Sequence, residues 1–309
     1  MTLLIKPGRE SVENWIEAIG KALPELEIRI WPDAGDRADV QFILANELPP
    51  GAFATFPNLR FVAGTAVGVE RLLKDPDLPP DIPILRQVNT ERAATMAGWV
   101  LHHVLGHHRR FEEYRANQSA RHWEHLRYPS PVDMRVGVMG LGTLGGTVAR
   151  RLRDLMYAVA GWTRSRKEIE GIESFAGPGE FRAFLARTDI LVSILPNTRA
   201  TQNLLGAEAL ATLPEGAYVV NCGRGTLIDE DALLAAIDSG HLSGAALDVF
   251  RTEPLPDDHP FWSHPKVTVT PHFACMGRAA FGAANLVENI RRVRAGRPLT
   301  AVVDKAEGY

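Results

Sequence analysis

The sequence predicts an α/β protein of two domains, each built on a parallel sheet. Three observations carry that prediction. The first is size and make-up: 309 residues, 45% apolar and 23% charged, enough chain for two ordinary domains with cores of their own. The second is the alternation, along nearly the whole chain, of short apolar runs with stretches of helical period. The third is the segment RVGVMGLGTLG at 135–145, where an apolar run passes directly into Gly140-x-Gly142-x-x-Gly145 and a helical pattern follows.

Taken in order, Leu3-Leu4-Ile5 reads as the first strand. Ser11 stands where it can cap a helix carrying Trp15, Ile16 and Ile19 on one face. Further strands are expected at 28–31, 40–45, 61–63 and 84–86, with the proline-rich stretch 76–83 as loop. This is an open, flavodoxin-like α/β pattern with its own parallel sheet. A long helix is expected from Thr90, with Ala97, Leu101, Val104, His108 and Phe111 along one stripe. After Pro129 and Pro131, six strands are expected at 135–139, 158–162, 189–195, 217–222, 244–249 and 267–270. One intervening helix is capped by Asp229 and ends before Gly240. Six strands in this sequence make a complete doubly wound domain of Rossmann type. A last helix at 281–293 carries the chain back to the first domain. The expected domains are therefore residues 1–91 with 282–309, for substrate, and residues 92–281; a cleft between two such domains is a natural substrate site.

The glycine segment has a physical reading. Val136, Val138 and Met139 form the strand before it, and Leu144, Val148, Leu152 and Leu155 recur at helical spacing after it. Gly140 allows the tight turn, Gly142 leaves room for a pyrophosphate to approach the backbone, and Gly145 lets helix and strand pack closely. N–H groups at the helix start, those of Thr143 and Leu144 among them, then face the anion. A bound dinucleotide is expected. In an NAD-binding domain an acidic residue at the end of the second strand accepts from the ribose 2′-OH. Here that strand runs into Thr163-Arg164-Ser165-Arg166-Lys167, with no carboxylate. Two guanidinium groups and a hydroxyl suit a 2′-phosphate, so NADPH is the expected cofactor and NADH the weaker alternative.

Three charged residues follow expected strands. Arg224 lies in Asn221-Cys222-Gly223-Arg224-Gly225, Glu253 in Asp248-Val249-Phe250-Arg251-Thr252-Glu253-Pro254, and His272 in Thr270-Pro271-His272-Phe273-Ala274. In an open α/β sheet the carboxyl ends of strands line the ligand crevice. Reduction of a 2-oxo acid needs these residue types. A cation orients and polarises the oxo acid. An imidazole protonates the forming alkoxide, and a carboxylate beside it favours the imidazolium and fixes its orientation.

NCGRG, DVFRTEPLP and TPHFA resemble the three signature segments of the D-isomer-specific 2-hydroxyacid dehydrogenase family. The likeness extends over the glycine turn, Leu195-Pro196-Asn197-Thr198 and Asp229-Glu230-Asp231-Ala232-Leu233, and so covers nearly the whole chain. Within the family the sequence is most similar to bacterial glyoxylate/hydroxypyruvate reductases, through Trp162-Thr163-Arg164-Ser165-Arg166-Lys167 and through Arg109-Arg110-Phe111 to Trp123. The resemblance implies that Arg224 binds the substrate carboxylate and oxo oxygen, that His272 is the acid/base and that Glu253 supports it. It implies that Asp248 and the Cys222 carbonyl hold the nicotinamide carboxamide, and that Leu195, Pro196 and Thr201 line the cofactor. It also implies that the amides of Val67 and Gly68, in Gly64-Thr65-Ala66-Val67-Gly68-Val69, receive the substrate carboxylate, which suits a glycine-rich turn acting as an anion nest.

Departures from the family pattern bear on specificity. Cys222-Gly223 replaces a small apolar pair, placing a thiol near the cofactor; a packed thiol is the expectation. Leu44-Ala45-Asn46-Glu47-Leu48 lacks the tryptophan that similar reductases place near the substrate. That motivates an alternative substrate, a bulkier 2-oxo acid such as phenylpyruvate or a branched-chain acid. Glu253 is not the glutamine of formate dehydrogenases. A second alternative, from another class, is a non-catalytic NAD(P)-sensing protein like the transcriptional corepressors that share this fold; the intact Arg–Glu–His set argues against it.

Composition excludes other classes. A net charge of −3 gives no electrostatic case for nucleic acid or a membrane surface. No run approaches the roughly 20 apolar residues of a membrane span, and MTLLIKPGRE has too short an apolar run for a signal peptide. Cys222 and Cys275 are the only cysteines, which implies no disulfide framework and fits a reducing cytoplasm. His102, His103, His107, His108, His122 and His125 invite a metal reading, but no carboxylate or cysteine completes a set, and no metal is expected. In the family the helix and arm at 92–128 form the dimer contact, so a homodimer is expected, with Trp123 reaching the partner's site.

Overall fold

Each apolar run of the N-terminal third pairs with a neighbour as a parallel strand. β1 (Thr2–Ile5), β2 (Glu27–Ile30), β3 (Val40–Leu44), β4 (Phe61–Ala63) and β5 (Ile84–Leu85) form one sheet in the order β2-β1-β3-β4-β5. That is the flavodoxin-like order, whose ligand crevice opens beyond the carboxyl ends of its strands. The computed structural model describes residues 1–6, 8 and 11–308. The chain divides into two compact units, Met1–Glu91 with Gly277–Tyr309, and Arg92–Met276.

In the first unit β1, β3 and β4 are buried almost throughout, as strands covered on both faces must be. Helix α1 (Val12–Ala22) buries Trp15 and Ile19 against α9 (Ala279–Arg294). Gly282 allows the close approach: a Cβ there would lie 2.3 Å from the Trp15 ring. Trp15 is 2% exposed, and burying a side chain of that size contributes about 5 kcal/mol. Ser11 takes the N-cap position of α1, but its hydroxyl donates to Glu13 instead of capping the backbone. The short α2 (Glu70–Leu73) follows the turn at 64–69. The return to this unit begins at Gly277, ahead of the expected residue 282, because α9 starts before its first large apolar residue.

The second unit holds β6 (Arg135–Met139), β7 (Ala158–Thr163), β8 (Glu173–Ala176), β9 (Ile190–Ser193), β10 (Ala217–Asn221), β11 (Leu242–Leu247) and β12 (Val267–Val269). They form one parallel sheet in the order β12-β11-β10-β9-β6-β7-β8. Six strands were expected from sequence; β8 is the seventh. Its segment, Glu-Ser-Phe-Ala, is an edge strand with no fully buried residue, so it carries no apolar run to read. The strand order reverses between β6 and β9, which makes that the switch point where ligands bind.

Helix α3 (Thr90–His108) buries Ala97, Val104 and His108. Phe111 leaves the expected stripe: Arg110 adopts a left-handed φ of 57°, ends the helix, and Phe111 opens α4 (Phe111–Ser119) half exposed. The remaining helices are α5 (Thr143–Asp154), α6 (Phe181–Ala186), α7 (Ala207–Thr212) and α8 (Glu230–Asp238). Asp229 caps α8, its side chain accepting from the Ala232 amide at 3.1 Å.

Candidate active site

The glycine turn after β6 is shaped by close approach. Gly140 has φ 95°, its amide donates to the Trp162 carbonyl of β7 at 2.9 Å, and a Cβ on Gly145 would come within 1.8 Å of the Gly140 carbonyl oxygen. Gly142 is different: nothing lies within 4 Å of a Cβ built on it. It is the N-cap of α5, and no side chain caps that end. Open space at Gly142, on an N-terminus of α5 that no side chain caps, is what a pyrophosphate needs, so the residues present fit a dinucleotide. Thr143 is exposed and Leu144 half-buried in the first turn.

Beside this turn β7 ends in Thr163, whose hydroxyl donates to the Ser165 carbonyl at 2.6 Å and folds the basic loop back. Arg164, Ser165 and Arg166 are exposed there. Lys167 Nζ lies 3.3 Å from the Leu141 carbonyl within the glycine turn. The loop 163–167 has no carboxylate of its own, but the fold brings one to it: Arg166 is ion-paired with Glu180 and donates to the Ser174 carbonyl. Both partners belong to β8 and the turn after it, the strand that sequence reasoning missed.

After β9, Leu195 and Pro196 enter a loop closed by Thr201. Its hydroxyl donates to the Pro196 carbonyl at 2.7 Å and accepts from the Thr198 amide at 2.9 Å. After β10, Asn221, 1% exposed, holds the Arg224 segment from both sides: it accepts from the Gly223 amide and donates to the Arg224 carbonyl at 3.1 Å. Cβ atoms at 223 or 225 would lie 2.7 Å from the Leu195 carbonyl oxygen or 1.9 Å from Phe250. Glycine on each side of Arg224 is thus a packing requirement. Cys222 is buried, its thiol pushed well up by burial first and by neighbouring Asp248 and Cys275 next. It is a packed group rather than a reactive one.

The carboxyl ends of β11 and β12 are locked together. Asp248, 1% exposed, accepts from the Thr270 hydroxyl at 2.6 Å, the Phe273 amide at 3.0 Å and the Ala274 amide at 2.9 Å. These bonds pin both flanks of His272, whose own φ is 53°. His272 Nδ1 and Glu253 Oε2 are 2.7 Å apart, and Glu253 Oε1 accepts from the Phe250 amide at 3.0 Å. Burial raises the Glu253 carboxyl, but the His272 and Phe250 hydrogen bonds and the charges of His272 and Arg224 outweigh it, holding the group below the usual carboxylate range. Glu253 thus feels both other members of the set. The chemistry on offer is an oriented imidazole with an ionised carboxylate behind it and a guanidinium nearby.

In the first unit Asn46 clamps the turn after β4. Its Oδ1 accepts from the Thr65 amide at 2.8 Å and its Nδ2 donates to the Thr65 hydroxyl at 2.6 Å. The Ala66 carbonyl accepts from Gln87. The amides of Val67 and Gly68 donate to no acceptor among the described residues.

Sequence reasoning named Arg224, Glu253 and His272 but assigned no holding role to Asn221, Thr270 or Glu180, whose partners are fixed only by folding. Among the described residues no group of three His, Cys, Asp or Glu could hold a metal. Three histidines of α3 are structural: His103 and His107 are lowered to about 4, chiefly by burial, His107 stacks on Tyr218, and His108 bonds Tyr157 and the Pro129 carbonyl.

Residues 101–274 match the sequence model of a family described as D-isomer specific 2-hydroxyacid dehydrogenase, NAD binding domain. Among solved structures, a D-isomer specific 2-hydroxyacid dehydrogenase from Xanthobacter autotrophicus Py2 in complex with NADPH and MES is 39% identical. The match covers 100% of this chain and 99% of that one, with a TM-score of 0.96. An NADPH-dependent glyoxylate/hydroxypyruvate reductase from Sinorhizobium meliloti, in complex with NADP and sulfate, is 34% identical over 100% of both chains, with a TM-score of 0.93. A probable 2-hydroxyacid dehydrogenase from Rhizobium etli CFN 42, in complex with NADP, HEPES and L(+)-tartaric acid, is 32% identical over 100% of this chain and 99% of that one, with a TM-score of 0.92.

Proposed function

The chain belongs to the D-isomer specific 2-hydroxyacid dehydrogenase family, and on that premise we propose that it reduces a small 2-oxo acid, glyoxylate or hydroxypyruvate, to the D-2-hydroxy acid with NADPH. The observation that carries the reading is the His272–Glu253 pair at 2.7 Å, with Arg224 close enough to lower the same carboxylate. When bound, NADPH supplies the hydride. Arg224 binds the carboxylate and polarises the oxo group. His272, tied through Nδ1 to Glu253, gives the proton to the forming alkoxide from its other ring nitrogen. Glu253 stays ionised and keeps the ring in one orientation.

Leu195, Pro196 and Thr201 line the cofactor in this proposal, and Asp248 and the Cys222 carbonyl receive its carboxamide. Arg164, Ser165 and Arg166 take the 2′-phosphate. In the first unit the amides of Val67 and Gly68 take the substrate carboxylate. In this proposal the first unit, Met1–Glu91 with Gly277–Tyr309, takes the substrate and the second, Arg92–Met276, the cofactor. The arm after α4 is proposed to contact a second copy. Trp123 there is 92% exposed, a side chain of the type enriched in the buried cores of interfaces. Both cysteines are free, which suits the reducing cytoplasm. No helix among the described residues is long and apolar enough to cross a membrane.

Asn46 is committed to the Thr65 turn and Glu47 to Arg71, and the missing tryptophan of this segment keeps phenylpyruvate or a branched-chain acid as the second reading. The test is NADPH and NADH oxidation against glyoxylate, hydroxypyruvate, pyruvate, phenylpyruvate and 2-oxoisocaproate. Fastest NADPH turnover with glyoxylate or hydroxypyruvate is expected. Preference for the bulky acids would move the substrate and keep the mechanism; no turnover with any acid, despite tight NADPH binding, would sink the enzymatic reading.

A further inference from the structure

A carboxylate stands where the cofactor's 2′-phosphate is proposed to bind, and it is held too firmly to be an incidental surface contact. Glu180 closes the turn between β8 and α6. Its Oε2 accepts from the Ala176 amide at 2.6 Å, and its other oxygen accepts from Arg166 Nη2, while Arg166 Nη1 donates to the Ser174 carbonyl. The same turn is fastened to the end of β7: the Gly177 amide donates to the Thr163 carbonyl at 2.9 Å, and Trp162 Nε1 donates to the Gly177 carbonyl at 2.8 Å.

We propose that Glu180 is a positioning residue that presets the Arg166 guanidinium for the 2′-phosphate and so sets the preference for NADPH over NADH. The inference rests on the reading of residues 164–166 as the 2′-phosphate site. A loose arginine on an exposed turn loses rotamer freedom when a phosphate immobilises it. Here the loss is already incurred, because two acceptors fix the fork. A guanidinium carries five N–H donors, so these two contacts leave others for phosphate oxygens. Glu180 also carries a charge of the wrong sign. Both side chains are about half exposed, so solvent and salt screen that repulsion, whereas the orientation of the fork is not screened. NADH has no 2′-phosphate and gains nothing from Arg166, which separates this role from simple support of the loop.

The experiment is a fluorescence titration of NADPH and NADH, giving Kd without turnover, on the full-length protein and its Glu180→Ala, Glu180→Gln, Arg166→Ala and Arg166→Ala/Glu180→Ala variants. Glu180→Ala is expected to weaken NADPH roughly two- to fivefold, the size of one exposed ion pair. NADH should be unmoved, Glu180→Gln should fall between, and adding Glu180→Ala to Arg166→Ala should change nothing. Equal weakening of both nucleotides, unchanged NADPH binding, or tighter NADPH binding in Glu180→Ala would each overturn the proposal. Arg166→Ala separates the two levels. If it is selective for NADPH while Glu180→Ala is silent, only the role of Glu180 falls. If Arg166→Ala is not selective, the 2′-phosphate reading falls and takes this inference with it.

Discussion

His272 holds a backbone φ of 53°, a left-handed conformation uncommon for any residue but glycine, although His enters it more readily than most. Such strain persists only where the surroundings over-determine it. Here Asp248 does so, through the amides on the C-terminal flank of His272 and the Thr270 hydroxyl on the other side. The three charged residues of the set were legible in sequence because each follows a recognisable strand. The Asp248 anchor was not, because its partners lie 22 to 26 residues away and nothing in local spacing pairs them. His272→Gln is expected to lower kcat about 10²- to 10⁴-fold, the usual worth of a general acid, with NADPH Kd unchanged; near-normal turnover would remove His272 from the chemistry. Glu253 gives a pH prediction. Its folded-state carboxyl is depressed, so its stabilising contribution is fully present above the ordinary value of 4.5 and is lost as pH falls through the lower folded value. Glu253→Gln should therefore show a shallower fall of Tm on acidification below pH 4.5, read by thermal melts across that range. An unchanged slope would show that the carboxyl is not depressed.

At the scale of elements, the turn from β6 into α5 was legible because its glycines obey a steric rule. That rule can be tested with two alanines of opposite sign. Gly145→Ala puts a Cβ 1.8 Å from the Gly140 carbonyl oxygen, with no flexible side chain to yield, and should cost about 1–3 kcal/mol of stability and weaken NADPH binding. Gly20→Ala in α1, where nothing lies within 4 Å, should instead stabilise by about 0.5–1 kcal/mol. Melting temperatures of the two variants decide it, and a harmless Gly145→Ala would refute the close-packing account. β8 shows the opposite case. It is an edge strand formed by pairing with β7 alone, so its existence depends on a neighbour and not on its own residues. With β8 unrecognised, the second sheet was read as six strands, and Glu180 could not be placed beside Arg166.

At the scale of the molecule, the second unit leaves one arm uncovered. α3 spends its apolar face inside the second unit. α4 buries no residue, and Trp123 and Phe111 remain exposed. A second copy covering this arm predicts a concentration-dependent dimer that Trp123→Ser shifts toward monomer, read by sedimentation velocity. A parent protein that stays monomeric at all concentrations would end the dimer proposal. Sequence by itself determined the α/β class, most strands of both sheets, the glycine turn, the basic loop and the Arg224–Glu253–His272 set. Each of these is written in local periodicity, in glycine spacing or in residues directly following a strand. Tertiary structure alone decided the seventh strand, the burial that encloses Cys222 and lowers His103 and His107, the clamps of Asn221, Asp248 and Asn46, and the meeting of Glu180 with Arg166. Those features depend on hydrogen bonds and desolvation between distant segments, which exist only once the chain has closed around them.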